Sequence, residues 1–218
     1  ASRNAQDAIS LIQVAEGGAT ELGNMLVRIR ELSIQAASDT IGDTERGFVD
    51  REVQALKTEM QRITEVTKFN GVELLTGRGS PSGGSLEFQV GTGPTPEHDR
   101  IVFDPTAANV QLDSLGLTDL TVSTKMDSQN SLVPLDEAIN KISSVRADFG
   151  AMQNRLYSTI NNLQIGDENL SAANSRIRDA DVALETSELT KRNILTQAST
   201  ATLGQANQNM MAALSLLN

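Results

Sequence analysis

The sequence contains no cysteine and no tryptophan, and its only aromatic residues are five Phe and one Tyr among 218 residues. The lack of cysteine excludes disulfides, thiol catalysis and cysteine-ligated metal sites. With so few aromatic side chains, the core must be built from Ala, Leu, Ile, Val and Met, which suits a helical bundle. No uninterrupted apolar stretch reaches the ~18 residues of a membrane-spanning helix, so we expect no membrane insertion.

Basic residues are also scarce, with 18 Lys and Arg against 28 Asp and Glu and a formal net charge of -10. Nucleic acids and anionic membranes bind basic surfaces, so we expect neither as a partner. The sequence shows no secretory signal peptide and begins at Ala1 inside a helical pattern. From this start we expect a truncated or processed fragment.

The longest pattern is a heptad repeat from Leu135 to Ala180, whose seam positions are three and four residues apart. This spacing places them on one stripe of a helix, as in a coiled coil. An unbroken helix of this length would measure roughly 69 Å, against a radius of ~17 Å for a compact globule. We therefore expect an elongated rod. The seam consists of Leu135, Ala138, Ile142, Val145, Phe149, Met152, Leu156, Thr159, Leu163, Gly166, Leu170, Ala173, Ile177 and Ala180.

The N-terminal region repeats this seam and adds a second helix. Turn and cap formers at residues 38–43 break the pattern, and we expect Asp43 or Thr44 to cap the second helix. That helix ends before Phe69-Asn70-Gly71, a tight-turn sequence. The short break at residues 38–43 predicts that the first two helices pack antiparallel. The first seam is Ala5, Ala8, Ile12, Ala15, Ala19, Leu22, Leu26, Ile29, Ser33 and Ala36, and the second stripe is Val49, Val53, Leu56, Met60, Ile63 and Thr67.

The middle of the chain has a different composition, because all five prolines lie between Pro81 and Pro134. Residues 77–84 are rich in Gly and Ser and predict a loop. Residues 86–90 alternate apolar and polar side chains, which predicts a half-buried strand. Residues 101–103 and 120–124 are second and third strand candidates, and the long helix is expected to start after Pro134.

The last segment has no charged residue after Arg192. An exposed helix normally carries Lys and Glu on its outer face, so this neutral helix is expected to be buried against other protein. Its predicted assembly residues are Leu203, Ala206, Met210, Leu214 and Leu217.

These patterns predict a mainly α chain: an elongated coiled-coil-like helical rod with a small β-rich excursion at one end. Residues 1–76 and 133–181 would form a discontinuous rod domain, residues 77–132 the β-rich and loop region, and residues 182–218 a C-terminal helix. One copy would expose surface that the next copy covers, which favours polymerisation.

Several blocks of the sequence resemble bacterial flagellin. They are Ala1-Ser-Arg-Asn-Ala-Gln-Asp-Ala-Ile-Ser10, Leu26-Val-Arg-Ile-Arg-Glu-Leu-Ser-Ile-Gln35, Lys68-Phe-Asn-Gly-Val-Glu-Leu-Leu75, Ser175-Arg-Ile-Arg-Asp-Ala-Asp181, Asn193-Ile-Leu-Thr-Gln-Ala198, Leu203-Gly-Gln-Ala-Asn-Gln208 and Leu214-Ser-Leu-Leu217. Together they cover roughly residues 1–76 and 135–218, in the order that the family has them. The family's preceding N-terminal segment is missing, which predicts poor polymerisation of the fragment and disorder, rearrangement or partner binding beyond residue 182.

The resemblance implies a structural subunit of an extracellular filament used for motility and exported through the flagellar type III apparatus without a cleaved signal peptide. Its implied partners are further copies of itself, an export chaperone at the C-terminal helix, and the flagellar cap and hook-associated proteins. The animal Toll-like receptor that senses flagellin is a further implied partner. By position in the matching blocks, the contact residues for receptor or neighbouring subunit are Arg28, Leu32 and Glu52. Arg28 and Leu32 are spaced i,i+4 and share a helix face.

Two alternatives remain open from the sequence: a cell-surface module whose residues 77–132 bind a ligand such as a polysaccharide, and a hook–filament junction protein.

An enzyme is not expected, because no constellation of nucleophile, base and oxyanion donors is present. His98, beside Glu97 and Asp99, lacks metal-ligand spacing, and we attribute Asp179 and Asp181 to helix capping. No catalytic residue, metal or cofactor is predicted.

Overall fold

The computed structural model describes residues 1–79, 84–178 and 182–215. The chain divides into two compact units, Ala1–Ile165 and Gly166–Asn218. The described elements are α1 (Ser2–Ala36), α2 (Asp43–Val66), β1 (Lys68–Phe69), β2 (Val72–Glu73), β3 (Leu86–Gln89), α3 (Pro96–Asp99), β4 (Arg100–Phe103), α4 (Lys125–Arg178) and α5 (Val182–Ser215). The prediction of a mainly helical chain with a small β-rich region is confirmed.

Helix α1 is the centre of the first unit. Every position of its predicted seam is buried, from Ala5 to Ala36. Both α2 and the first part of α4 run antiparallel to it. Arg46 of α2 bonds the end of α1 at Ala36, and the later Glu52 bonds the earlier Arg28. Likewise Asp136 of α4 pairs with Arg30, and the later Gln153 bonds the earlier Glu16. The predicted antiparallel packing of the first two helices is therefore confirmed.

The turn between α1 and α2 is closed by a buried arginine. Arg46 Nε donates to the carbonyl of Ala36 at 2.8 Å, and Nη2 donates to the carbonyls of Ser38 and Ile41 at 3.3 Å. The predicted cap by Asp43 or Thr44 is wrong. The N-cap is Gly42, which makes no side-chain cap bond, and the Asp43 carboxylate accepts from Arg46 instead.

The predicted turn after α2 is confirmed as the loop of a two-stranded hairpin. β1 and β2 pair antiparallel, with Phe69 opposite Val72. Asn70 and Gly71 between them have φ values of 49° and 79°. Two successive positive φ values are those of the primed turn that matches strand twist, which is why Asn-Gly occurs here.

The second sheet of the first unit is β3 paired antiparallel with β4, with Leu86 opposite Phe103. Both strands were predicted. Phe103 is buried and stacks on Phe149 of α4, with 6.0 Å between ring centroids. The sheet thereby packs against the same helical core as α1.

The predicted third strand at residues 120–124 is wrong. No strand is present there, because side chains of α2 satisfy the backbone of this segment. Lys57 Nζ donates to the carbonyls of Thr118 and Leu120 at 2.9 and 2.7 Å. Asp50 Oδ1 accepts from the Val122 backbone N–H at 2.8 Å. Burial lowers the pKa of the Lys57 ammonium.

The predicted start of the long helix after Pro134 is also wrong, since α4 begins at Lys125 and contains Pro134. Thr124 caps it: its Oγ1 accepts from the Asp127 backbone N–H at 3.1 Å and donates to the Asp127 carboxylate at 2.6 Å. The proline's missing N–H leaves the carbonyl four residues earlier without a helical partner. That residue, Asn130, is exposed to solvent, which makes the proline tolerable.

The heptad seam of α4 is helical throughout its described part, but only its first half is buried. Its buried members run from Leu135 to Leu156 with Met152 half-buried, while Leu170 and Ile177 are exposed. Ala180 and the predicted break at residues 179–181 lie outside the described residues. In the second unit, α5 is a continuous helix, so the expected disorder beyond residue 182 is not found over residues 182–215.

Candidate interaction surfaces

The residues predicted for receptor or subunit contact meet at the junction of α1 and α2. Arg28 donates to Glu52 Oε1 through Nη2 at 2.8 Å and through Nε at 3.1 Å, with a longer bond to Glu31. Both members of the main pair are about half exposed. The bond to Glu52, followed by its charge, raises the pKa of the Arg28 guanidinium.

Leu32 does not join this surface, because its side chain is 2% exposed and lies in the core. The i,i+4 spacing places Leu32 beside Arg28 on α1, but α2 covers that flank of the helix and buries the leucine. The exposed apolar side chains of this part of α1 are instead Val27 and Ile34. Both fall off the heptad seam, but so does the buried Leu32, so the seam alone does not separate them.

We expect the Arg28–Glu52 ion pair to contribute little to stability, since exposed pairs gain little in water and are screened by salt. Arg28→Ala and Glu52→Ala, alone and together, should leave the urea unfolding midpoint of the first unit nearly unchanged. Any coupling between the two substitutions should vanish in high salt. A coupling that persists in high salt would contradict this expectation and indicate a buried interaction.

The predicted assembly helix α5 exposes its apolar residues. Leu203 is 63% and Met210 is 75% exposed, and Ala206 is exposed as well. Leu214 lies within α5, but its side chain is outside the described part, as is the whole of Leu217. The part of α5 after Arg192 presents methyl, thioether and amide groups without charge, so it offers nothing to an ionic ligand. It is suited to burial against other protein.

The β-rich region shows no arrangement for metal or acid–base chemistry among the described residues. His98 lies on the exposed helix α3, and no described group of three His, Asp or Glu side chains could hold an ion. The Asp99 carboxylate accepts from the backbone N–H groups of Gly93 and Thr95 at 2.9 and 3.1 Å. Asp99 therefore shapes the loop before α3.

One Ser–Lys contact was not anticipated from the sequence. Lys141 Nζ donates to Ser114 Oγ at 2.6 Å and to the Ser114 carbonyl at 2.8 Å. The Ser114 hydroxyl in turn donates to the carbonyl of Asn109. Because the Ser114 hydroxyl donates its proton to a carbonyl, it is not activated as a nucleophile. The contact therefore holds the 109–114 loop against α4.

Among the described helices, none combines the length and hydropathy needed to cross a membrane.

Two family models match the chain. The model of the bacterial flagellin N-terminal helical region matches residues 1–80. The model of the bacterial flagellin C-terminal helical region matches residues 132–217. Together the two matches include α1, α2, β1, β2, α5 and most of α4.

Relatives that match over the whole chain are named flagellin or flagellar filament core protein. Flagellins of Halalkalibacterium halodurans and Bacillus subtilis are each 42% identical over the full chain, which covers 77% and 80% of their lengths. A flagellar filament 33 kDa core protein of Treponema phagedenis is 40% identical, again over the full chain and 78% of its own length. Names of this kind favour neither a polysaccharide-binding module nor a hook–filament junction protein.

Solved structures agree with these relatives. The crystal structure of Bacillus cereus flagellin matches with a TM-score of 0.66 at 31% identity, covering 79% of this chain and 95% of that one. A flagellar hook-associated protein of Vibrio parahaemolyticus matches with a TM-score of 0.62 at 11% identity, over 80% of this chain and 88% of that one. At 11% identity the likeness concerns the fold alone. The two family models and the relatives that match from end to end establish that the chain belongs to the bacterial flagellin family.

Proposed function

We propose that this chain is a structural subunit that assembles with further copies of itself into the bacterial flagellar filament, and that it is not an enzyme. The observation that carries the proposal is helix α5. Its described side chains are all exposed, several of them are large and apolar, and no charge follows Arg192. Such a helix gains free energy only when other protein covers it, at about 25 cal/mol per Å² of apolar area buried.

We propose the same role for each range of the chain as the sequence predicts. Residues 1–76 and 133–181 would serve as the rod domain, residues 77–132 as a small outer region, and residues 182–218 as the filament-core helix. Leu203, Ala206, Met210, Leu214 and Leu217 would make the core contacts. The proposed location is outside the cell, reached by export without a cleaved signal peptide.

Further partners belong to this proposal. An export chaperone would cover α5 before assembly, since the exposed apolar side chains of that helix need protection. The flagellar cap and hook-associated proteins would contact the same family segments at the filament ends. For recognition by the flagellin-sensing Toll-like receptor, the support is the exposed Arg28–Glu52 pair; Leu32, being buried, would not take part unless α1 and α2 separate.

Self-assembly in high salt tests the proposed function on an extended chain, in which a cysteine-free N-terminal helical segment of a full-length flagellin is joined before Ala1, because the resemblance predicts poor polymerisation without that segment. Ultracentrifugation and negative-stain electron microscopy are expected to show sedimenting filaments. Leu203→Asp and Met210→Asp should keep the chain in the supernatant, because a buried unpaired carboxylate is strongly unfavourable. The matched control, Ser187→Asp, adds the same charge to the exposed and already charged first third of α5 and should assemble. An extended chain that stays monomeric at every salt concentration would overturn the filament role.

A further inference from the structure

The first unit contains a groove of about 340 Å³ between α4 and the segment formed by β4 and the residues that follow it. Val102, Phe103, Val145 and Met152 contribute apolar surface to it, and Asp104 and Asp148 contribute carboxylates beside the guanidinium of Arg155. Because a cavity of ~150 Å³ is enough to hold a benzene ring, the groove has room for an aromatic side chain.

An exposed aromatic side chain lies elsewhere on the same unit. Phe48 of α2 is 57% exposed, although the chain has only five Phe and buries Phe103 and Phe149 in its core. The Arg51 guanidinium carbon lies 5.2 Å from the centroid of the Phe48 ring, in a cation–π contact. We call Phe48 and Arg51 together the aromatic knob.

The aromatic knob does not reach the groove of its own chain. The Arg28–Glu52 pair places Phe48 level with about residue 32 of α1. The Arg30–Asp136 pair and the bond from Gln153 to Glu16 place the middle of the groove level with about residue 17. The two levels differ by roughly 15 residues, or about 22 Å along the helix axis. Only a second molecule can bring a knob to this groove.

We propose that the aromatic knob of one copy docks in the groove of a second copy, as a repeating contact between neighbouring subunits. The inference rests on the proposed function, and it specifies which surfaces of the first unit meet in the assembly. The Phe48 ring would fill the apolar part of the groove, and Arg51 would face the groove's carboxylates.

Charge complementarity supports a second copy as the occupant. Two copies of a chain with a net charge of -10 repel each other, so a stable contact needs a local cation that meets an anion. Within the described ranges, no ion pair includes Asp148 or the groove's own Arg155. The groove has two carboxylates against one guanidinium, so Arg51 of the incoming copy can pair with Asp148. The Asp104 carboxylate is already bonded to the backbone N–H and hydroxyl of Thr106, so Asp148 is the main anion of the contact.

The proposed contact is heterologous, because knob and groove are different surfaces of the same unit. A heterologous contact leaves one free knob and one free groove at the ends of any oligomer, so it repeats without a fixed limit unless it closes into a ring. With subunit axes parallel, each contact would displace the next copy by about 22 Å along the axis. This geometry is compatible with a filament.

Engineered cysteines test the contact directly, because the chain has none of its own. A double variant of the extended chain carries Thr44→Cys, at an exposed position one turn before Phe48 that leaves the ring in place, and Ala151→Cys, at an exposed position lining the groove. Oxidised in high salt, it is expected to give a disulfide ladder at multiples of its own mass that collapses on reduction. A mixture of the two single variants should stop at dimers. The matched control carries Val133→Cys and Ala151→Cys, two exposed α4 positions ~27 Å apart, and should stay monomeric.

Wild-type filaments examined in parallel separate this proposal from the filament role. If the extended chain forms filaments but the double variant gives no ladder, or if the control gives an equal ladder, the contact is overturned and the filament role stands. A ladder without filaments supports the contact and overturns the filament role. Absence of both overturns both.

Discussion

Arg46→Ala is expected to lower the free energy of unfolding of the first unit by about 3 kcal/mol, since it leaves one buried and two half-buried backbone carbonyls without donors. Arg46 is only 5% exposed, and its guanidinium binds the carbonyls of Ala36, Ser38 and Ile41. Ala36 is the last residue of α1, where a helix has carbonyls without an intrahelical partner. One side chain therefore performs the capping of α1 and the closure of the turn to α2.

Urea denaturation measures this effect, with two further variants as controls. Arg46→Lys should recover little of the loss, because a single ammonium lacks the planar fork that reaches three carbonyls. Arg62→Ala removes an exposed arginine of the same helix that pairs with Glu59, and it should leave the free energy of unfolding nearly unchanged. The assignment fails if Arg46→Ala costs less than about 1 kcal/mol, the typical net value of one ordinary hydrogen bond.

The role of Arg46 illustrates what the sequence could and could not predict. The α1 seam was predicted correctly at every position, because a period of three and four residues determines which face of a long helix is buried. The cap of α2 was predicted from local residue type and is wrong. An arginine that binds carbonyls of the preceding helix is a tertiary solution, and residue type alone carries no signal for it.

The same distinction explains the segment at residues 120–124. Its alternation of apolar and polar residues is real, and Val122 is buried as a strand residue would be. What excludes a strand is Asp50 and Lys57 of α2, which take up the hydrogen-bonding groups that a neighbouring strand would use. A pattern of burial can be read along the chain, whereas the partner of a backbone group cannot.

The candidate interaction surfaces show this limit too. Arg28 and Glu52 were predicted from a family resemblance, and the structure brings them together. Leu32 was chosen by the same resemblance and a shared helix face, yet α2 covers it. The aromatic knob at Phe48 was missed as a binding surface, although Phe48 falls off the predicted apolar stripe of α2 and is exposed as that pattern implies. The groove that could receive it is formed by residues far apart in the sequence, which no local pattern specifies.

Two adjacent glycines of α1 are expected to respond in opposite directions to the same substitution. A Cβ on Gly18 would lie 2.8 Å from Thr67 Oγ1 and 2.9 Å from Leu75 Cδ1, whereas a Cβ on Gly17 would meet nothing within 4 Å. Thr67 has little room to move, because its hydroxyl donates to the Ile63 carbonyl at 2.7 Å. The hairpin region therefore packs against α1 at the one glycine that lets it approach.

Gly17→Ala should raise the free energy of unfolding by up to ~1 kcal/mol, the difference in helix propensity between Gly and Ala. Gly18→Ala gains the same propensity but should lower the free energy of unfolding by about 2 kcal/mol, because overpacking of a tight contact costs roughly 1–3 kcal/mol or more. The two variants should thus differ by about 3 kcal/mol in urea denaturation. Gly18→Ala combined with Thr67→Ser, which removes the methyl group that crowds the site, should recover part of the loss. If Gly18→Ala stabilised the unit as much as Gly17→Ala, the close approach of the hairpin region to α1 would be refuted.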